Sequence, residues 1–543
     1  IRGGSEAAVI IHSGDFDARS LYIENVGFGI ATDDSYSIDQ IEMVQLQDVD
    51  MTRVIRGIAV NAGITKLNQV RIRESGPGKA FVGWGENTQI SFSDLTIVNQ
   101  AVNPDETEVL SVPQQAWGVT LVEGATLVGE RLTIDRTSNA GIFLGDSGTE
   151  FNASNLLIRD TSGTSEDLVA GTGIGLYVEQ GASAILNGGL IENSKRQGLF
   201  VHGEGSTAIL TDVVIRGTSD LDIDVQNDDD VEQGHGISVQ RGASIRTDRI
   251  LVSRAREVGI VILDATANLQ DMIINHTRIF DSTNFGVPFF MSSAGIAEVE
   301  RIRIRGGYLV GMMIQDPDTV ATMSDVWVER IKRSPGDETG GFGVVVTNSG
   351  DLDAEYVFVS GTEGGATASW MPGSSMRLGN AVLLGKTRES VEIDDFDIDD
   401  FDEVEEVENE EGSVEIDDFD IDDFDIDDFD RDGVSAFWGG SASISSGVVM
   451  GFSRAAVQVT DAGGTSGGAS VELSEVEIVD NLFGVNVFSV ENEEASTDFS
   501  EVEFGGNGTD SSSEMMSVEE PPVASVNASV ELEAAEVEMS SVE

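Results

Sequence analysis

The chain has 543 residues, 97 of them acidic against 31 basic, a formal charge of −66 and no cysteine. That charge argues against nucleic acid or an anionic membrane as partners and in favour of cations. Without cysteine there are no disulfides, thiolate metal sites or cysteine nucleophiles, so burial and hydrogen bonds must hold the fold. No apolar run reaches the roughly 18 residues of a membrane span, so no membrane insertion is expected. The chain opens at Ile1 without a charged-then-apolar leader and reads as a mature or excised segment.

In chain order the segments share one grammar of strand, turn, strand, turn, strand, turn. It begins near Leu21 and is plainest in GVTLVEGATLVGERLTIDRTSNA from Gly118, GIFLGDSGTEFNASNLLIRDTSG from Gly141, GLYVEQGASAILNGGLIENSKRQ from Gly175 and GLFVHGEGSTAILTDVVIRGTSD from Gly198. The steps 118 to 141, 175 to 198 and 236 to 259 are each 23 residues, and further units start at Gly286, Gly311 and Gly343. Units close on an apolar triplet, as in Leu132–Ile134, Leu156–Ile158, Val213–Ile215, Met272–Ile274, Ile302–Ile304, Val326–Val328 and Val357–Val359. The outer members of each triplet share one face by the period of two.

A period in the low twenties built of short strands predicts a β-solenoid. Inward residues stack in columns, and each backbone bonds to the coils above and below, about 4.8 Å away. Triplets counted as far as Val502 predict about 16–17 coils of roughly 23–25 residues and a rod of roughly 80 Å. Helices are excluded by the lack of a 3, 4, 7 spacing and by 62 glycines. The pattern resembles the right-handed parallel β-helix repeat proteins, the pectin-enzyme-like and bacterial surface-protein fold, over residues 1–505. That resemblance implies an all-β, right-handed parallel β-helix. It leaves function open, because the scaffold carries lyases, hydrolases, adhesins and passive rods. Extra residues near 100–114, 163–172, 219–233 and 334–341 must leave at corners, where solenoids build binding faces.

One such corner runs into QNDDDVEQGHGISVQ, residues 226–240, and Arg330-Ile331-Lys332 follows later. An Asp pair, a Gly-His-Gly with Ile-Ser and an Arg-Ile-Lys, in this order, resemble polygalacturonases. The resemblance implies Asp228, Asp229, His235 and Lys332 as catalytic residues. The coil grammar gives a second reading. Gly-x-Gly also precedes the first strand at Gly27, Gly173 and Gly341, so His235 stands where Phe28, Ile174 and Phe342 stand. An inverting glycosidase needs two carboxyl groups on one face with water between them. Here Asp228, Asp229 and Asp230 lie five to seven residues before His235, inside one corner insertion.

Between Ser390 and Gly433 the grammar stops, and Ile-Asp-Asp-Phe-Asp occurs five times. Val391 to Gly433 holds 24 acidic residues and one arginine, hence 24 − 1 = 23 negative charges. Such density predicts either a disordered acidic loop or calcium binding. Asp428-Phe-Asp430-Arg-Asp432-Gly433 spaces alternate carboxylates before a glycine turn, a pattern suited to a hard cation, and it resembles thrombospondin-type calcium repeats. The expected calcium ligands are Asp423, Asp425, Asp428, Asp430 and Asp432. Position twelve is Gly439, so the stretch is not an EF-hand.

The expected organisation is a β-helix over 1–390, an acidic insertion over 391–433, a continuing β-helix over 434–505, and a Ser/Glu-rich segment over 506–543 that could add one coil. The expected function is an extracellular or cell-surface structural or adhesive rod, with calcium, glycans or a copy of itself as partners. The alternative is a carbohydrate-active enzyme on acidic polysaccharide.

Overall fold

The computed structural model describes residues 1–11, 15–32, 43–61, 63–74, 79–98, 117–163, 173–219, 234–279, 285–335, 339–385, 432–461, 468–489 and 495–512. A short strand alternates with a long bent one. In one coil Ile174–Glu179 is followed by Ser183–Glu192, which bends at Gly188 with φ of 76°. Neighbouring coils bend at Asn155 (φ 56°), Asp212 (55°), Arg249 (55°) and Asp271 (51°). The bend splits the long strand, so each coil has three straight segments and the rod three faces.

Named strands in successive coils pair in parallel. Leu156 stands over Leu132, and Val213, Ile250, Met272, Ile302, Val326 and Val357 continue the same column. The triplets singled out by the sequence are thus one wall of the core. Inward residues of all three faces form one apolar cluster that runs from Ile11 to Val485. From Phe16–Thr32 to the Ser496–Ser500 and Glu503–Gly505 pair, the second and third faces hold seventeen rungs. At about 4.8 Å each this is a rod of roughly 80 Å, the parallel β-helix that the period predicts.

Glycine recurs where the first face begins, at Gly118, Gly141, Gly175, Gly198, Gly236 and Gly259, because backbones of adjacent coils pass close there. A Cβ at Gly236 would lie 2.5 Å from the Gly259 carbonyl oxygen and 2.4 Å from Val252 Cγ1. Turns between the first and second faces are tied by hydroxyls of the next coil. Thr149 Oγ1 accepts from the Gly124 amide at 3.0 Å, Ser206 Oγ from Gly181 at 3.0 Å and Thr319 Oγ1 from Ala294 at 3.1 Å. Near the C-terminal end Asn481 and Asn507 stack, the Asn481 amide donating to Asn507 Oδ1 at 3.1 Å.

The insertions expected near 100–114, 163–172 and 219–233 lie outside the described residues except at their edges, as do 336–338 of the last one. Most of the acidic stretch does too. The first strand after it, Asp432–Phe437, begins two residues before the expected 434, and Thr509–Ser512 pairs with Phe483–Ser489 beyond the expected 505.

Close packing at the glycine column predicts that Gly236→Ala lowers stability by about 1–3 kcal/mol. Ile158→Ala, which hollows the core column, should cost about 2–5 kcal/mol. Val128→Thr, at a side chain 43% exposed, should change stability by less than about 0.5 kcal/mol. Urea midpoints followed by circular dichroism measure the order of the three.

Candidate functional site

On the first face the core takes every second residue, such as Leu176 and Val178, and the alternating residues point outward. These outward side chains are nonetheless buried. Tyr177 and Phe200, with Ile174 at its strand start, form one small cluster, and Val261, Phe290, Met313 and Trp370, with Val258 and Phe342 at their strand starts, belong to a larger one, both separate from the core. An aromatic ladder climbs this side from Trp117 to Phe143 (centroids 4.9 Å apart), Tyr177 (5.3 Å) and Phe200 (5.1 Å).

Two coils interrupt the apolar layer with a polar belt. Gln197 and His202 stand beside His235 and Gln240 in register, with Ser238 beside Phe200. The Gln197 and His235 positions are continuous with Ile174 below and, further along, with Phe342 above Val310. His235 therefore occupies the place the coil grammar assigns it.

His235 is 1% exposed, and its Nε2 lies 3.3 Å from Glu257 Oε2, itself on a side chain 8% exposed. The contact is close but not aligned as a hydrogen bond, and His235 Nδ1 has no partner. Arg196 is buried beside this pair: the His235 amide donates to its carbonyl at 3.0 Å, and its Nε also lacks a partner. Burial holds the Arg196 guanidinium below its usual range, partly opposed by Tyr177. The Tyr177 hydroxyl donates to the Glu179 carboxylate, and burial raises the pKa of both groups. Buried polar atoms are ordinarily satisfied by protein or ordered water.

Of the residues expected from the polygalacturonase resemblance, His235 and Lys332 are described and lie apart. Asp228 and Asp229 lie outside the described residues. Lys332 ends the strand Val320–Lys332, and three first-face strands, starting at His235, Val258 and Val287, come before the one at Val310 that it follows. At about 4.8 Å per coil, Lys332 stands roughly 14 Å along the rod from His235. The carboxylate that does meet His235 is Glu257. The sequence carries a signal for it, since units starting at 175, 198, 236 and 259 place Gly173, Arg196, Gly234 and Glu257 at the same offset, two residues before the unit glycine.

Of the expected calcium ligands, Asp423, Asp425, Asp428 and Asp430 lie outside the described residues. Asp432 opens a first-face strand and is 1% exposed. Arg454 Nε donates to its Oδ1 at 2.8 Å, a second guanidinium nitrogen donates to Oδ2, and the Ala455 amide donates to Oδ1 at 3.2 Å. Both its oxygens are engaged by the rod itself.

No family model and no curated protein matches the chain. A similar solved chain is found in the cryo-EM structure of the Vag8–C1 inhibitor complex. It is 12% identical with a TM-score of 0.37, over 92% of this chain and 100% of that one. A likeness at this level carries no argument about function. The strand registers define the class of this chain, a parallel β-helix.

Burial, then the charge of Arg241, lowers the pKa of His202 from 6.5 to about 4. Between these values the unfolded chain binds the proton and the folded chain does not, so stability contributed by neutral His202 is lost as pH falls. Melting temperatures of the wild type and His202→Gln should run parallel above pH 6.5, and the wild type should fall more steeply from there to about 4.

Proposed function

We propose that this chain is an extracellular or cell-surface β-helix rod with an adhesive or structural role, and that the face carrying the polar belt takes its partner, a glycan, with the partly exposed His202 as the belt's point of contact. The observation that carries this reading is the belt itself. It places amide, imidazole and hydroxyl groups, some lacking partners, at the end of an aromatic ladder on a rod whose inward apolar core runs unbroken from Ile11 to Val485. Sugars are recognised by this mixture, with rings packing on aromatic faces and hydroxyls exchanging hydrogen bonds.

The alternative of a carbohydrate-active enzyme rests on the buried contact of His235 with Glu257, since an imidazole beside a carboxylate is suited to proton transfer. Oligosaccharide arrays with neutral and uronate sugars, read with a reducing-end assay, separate the two. The adhesive reading expects retention without product, and a loss of about tenfold or more in His235→Ala with Gln240→Ala, corresponding to hydrogen bonds of about 1–1.5 kcal/mol. Turnover abolished by His235→Ala or Glu257→Gln would establish the enzyme instead.

A second proposal concerns the acidic stretch. Its carboxylates outside the described residues, Asp423, Asp425, Asp428 and Asp430, bind calcium weakly, with Kd in the range of about 0.1–1 mM typical of extracellular modules. Divalent ions relieve the repulsion of 23 charges, and oxygen-only donors select hard cations. Calorimetry should show calcium uptake by the intact chain that is lost on deletion of 391–431. Equal uptake by both would reject the site.

A further inference from the structure

Two corners of the rod share one backbone geometry and carry opposite charge logic. Between the second and third faces, the left-handed column reads Asp212, Arg249, Asp271, Arg301 and Asp325 in successive coils. Its signs alternate, and the pairs close. Arg249 donates to both oxygens of Asp212 at 2.6 and 2.9 Å, and Arg301 to both of Asp271 at 2.5 and 3.0 Å. In the last four of these coils the corner after the third face reads Arg254, His276, Gly306 and Arg330, all left-handed. The stacking is direct: the Arg254 amide donates to the Asn275 carbonyl at 2.9 Å, the His276 amide donates to that of Arg305 at 2.8 Å, and Gly307 stands beside Ile331. Arg256 and Arg278 form a second row, bridged to each other through their backbones.

No carboxylate interleaves in that column. Arg254, Arg278 and Arg330 are exposed and make no ion pair among the described residues, whereas Arg305 shares Glu329 with Arg303 at 3.3 and 3.0 Å. The groups sense one another. His276 is held below its ordinary pKa by burial and then by Arg305, Arg254, Arg330 and Arg278, and Arg278 is lowered by burial and then by Arg254 and Arg256. On a chain of net charge −66, a run of cations that repel one another, beside a corner where the same repulsion is relieved, is the feature that needs a partner.

We infer that the corner from Arg254 to Arg330 is a binding site for a linear anionic polysaccharide whose oxyanion groups lie along the rod axis. The cations span three coil steps, about 14 Å, which matches a thin chain laid lengthwise. A nucleic-acid duplex is too broad for the strip and would press its phosphates onto the acidic surface on either side. Guanidinium forks hold carboxylate or sulfate by paired hydrogen bonds. These residues are distinct from the polar belt, and the inference stands apart from the reading of that belt.

The test is binding of the full chain to immobilised dextran sulfate and to polygalacturonate across a salt series. The wild type should bind at least one of them at low salt. Arg254→Gln, Arg278→Gln and Arg330→Gln together should weaken binding at least tenfold and flatten the slope of log K against log salt by about three. Arg249→Gln with Arg301→Gln, on the alternating corner, should leave both readouts unchanged. The preferred polymer identifies sulfate or carboxylate as the oxyanion. No binding to either at low salt, an unchanged affinity in the triple variant, or tighter binding to duplex DNA would overturn the inference. Loss of glycan-array binding in the His235 and Gln240 variant leaves it intact, because that variant keeps every corner arginine.

Discussion

The structure depends on one constraint, the in-register parallel stacking of coils. Each residue stands about 4.8 Å from its equivalents above and below, so its character is repeated along a column rather than met by a different partner. Apolar columns gain from this, and the core from Ile11 to Val485 is its outcome. Amide columns gain as well, as Asn481 over Asn507 shows. Charged columns lose, because like charges at this separation repel unless their sign alternates or a counterion intervenes.

That rule makes the charge pattern interpretable. Asp212, Arg249, Asp271, Arg301 and Asp325 alternate down one corner, so the repulsion becomes a ladder of forked pairs. These pairs are exposed, and each adds little to stability; their effect is to make the register tolerable for charged residues at left-handed bends. Asp432 and Arg454 apply the same solution inside the rod, where an unpaired carboxylate would be costly.

The inward residues close the core of the β-helix, and one face carries a second buried layer on its outside. The aromatic ladder from Trp117 to Phe200 and the apolar cluster from Val258 to Phe437 flank the belt holding Gln197, His202, His235 and Gln240. The scaffold requires a glycine at 236, where a Cβ would strike the next coil. It places no such demand on His235, whose polarity costs burial free energy in a position that Ile174 and Val258 fill with hydrocarbon.

The sequence by itself determined the coil period, the inward triplets and the corner glycines, because each is a local pattern repeated at fixed spacing. It also placed His235 in the column of Ile174 and Phe342, since register in a solenoid follows from counting. Only the tertiary structure decided what lies beside what across coils of unequal length. It set Lys332 away from His235 and Glu257 against it, turned Asp432 toward Arg454, and gathered Arg254, His276, Arg278 and Arg330 at one corner. These residues are 22 or more positions apart in most pairs, and insertions of variable length between coils hide their common register. A column is legible in sequence while the spacing holds; neighbours from coils of different length meet only once the backbone has been wound.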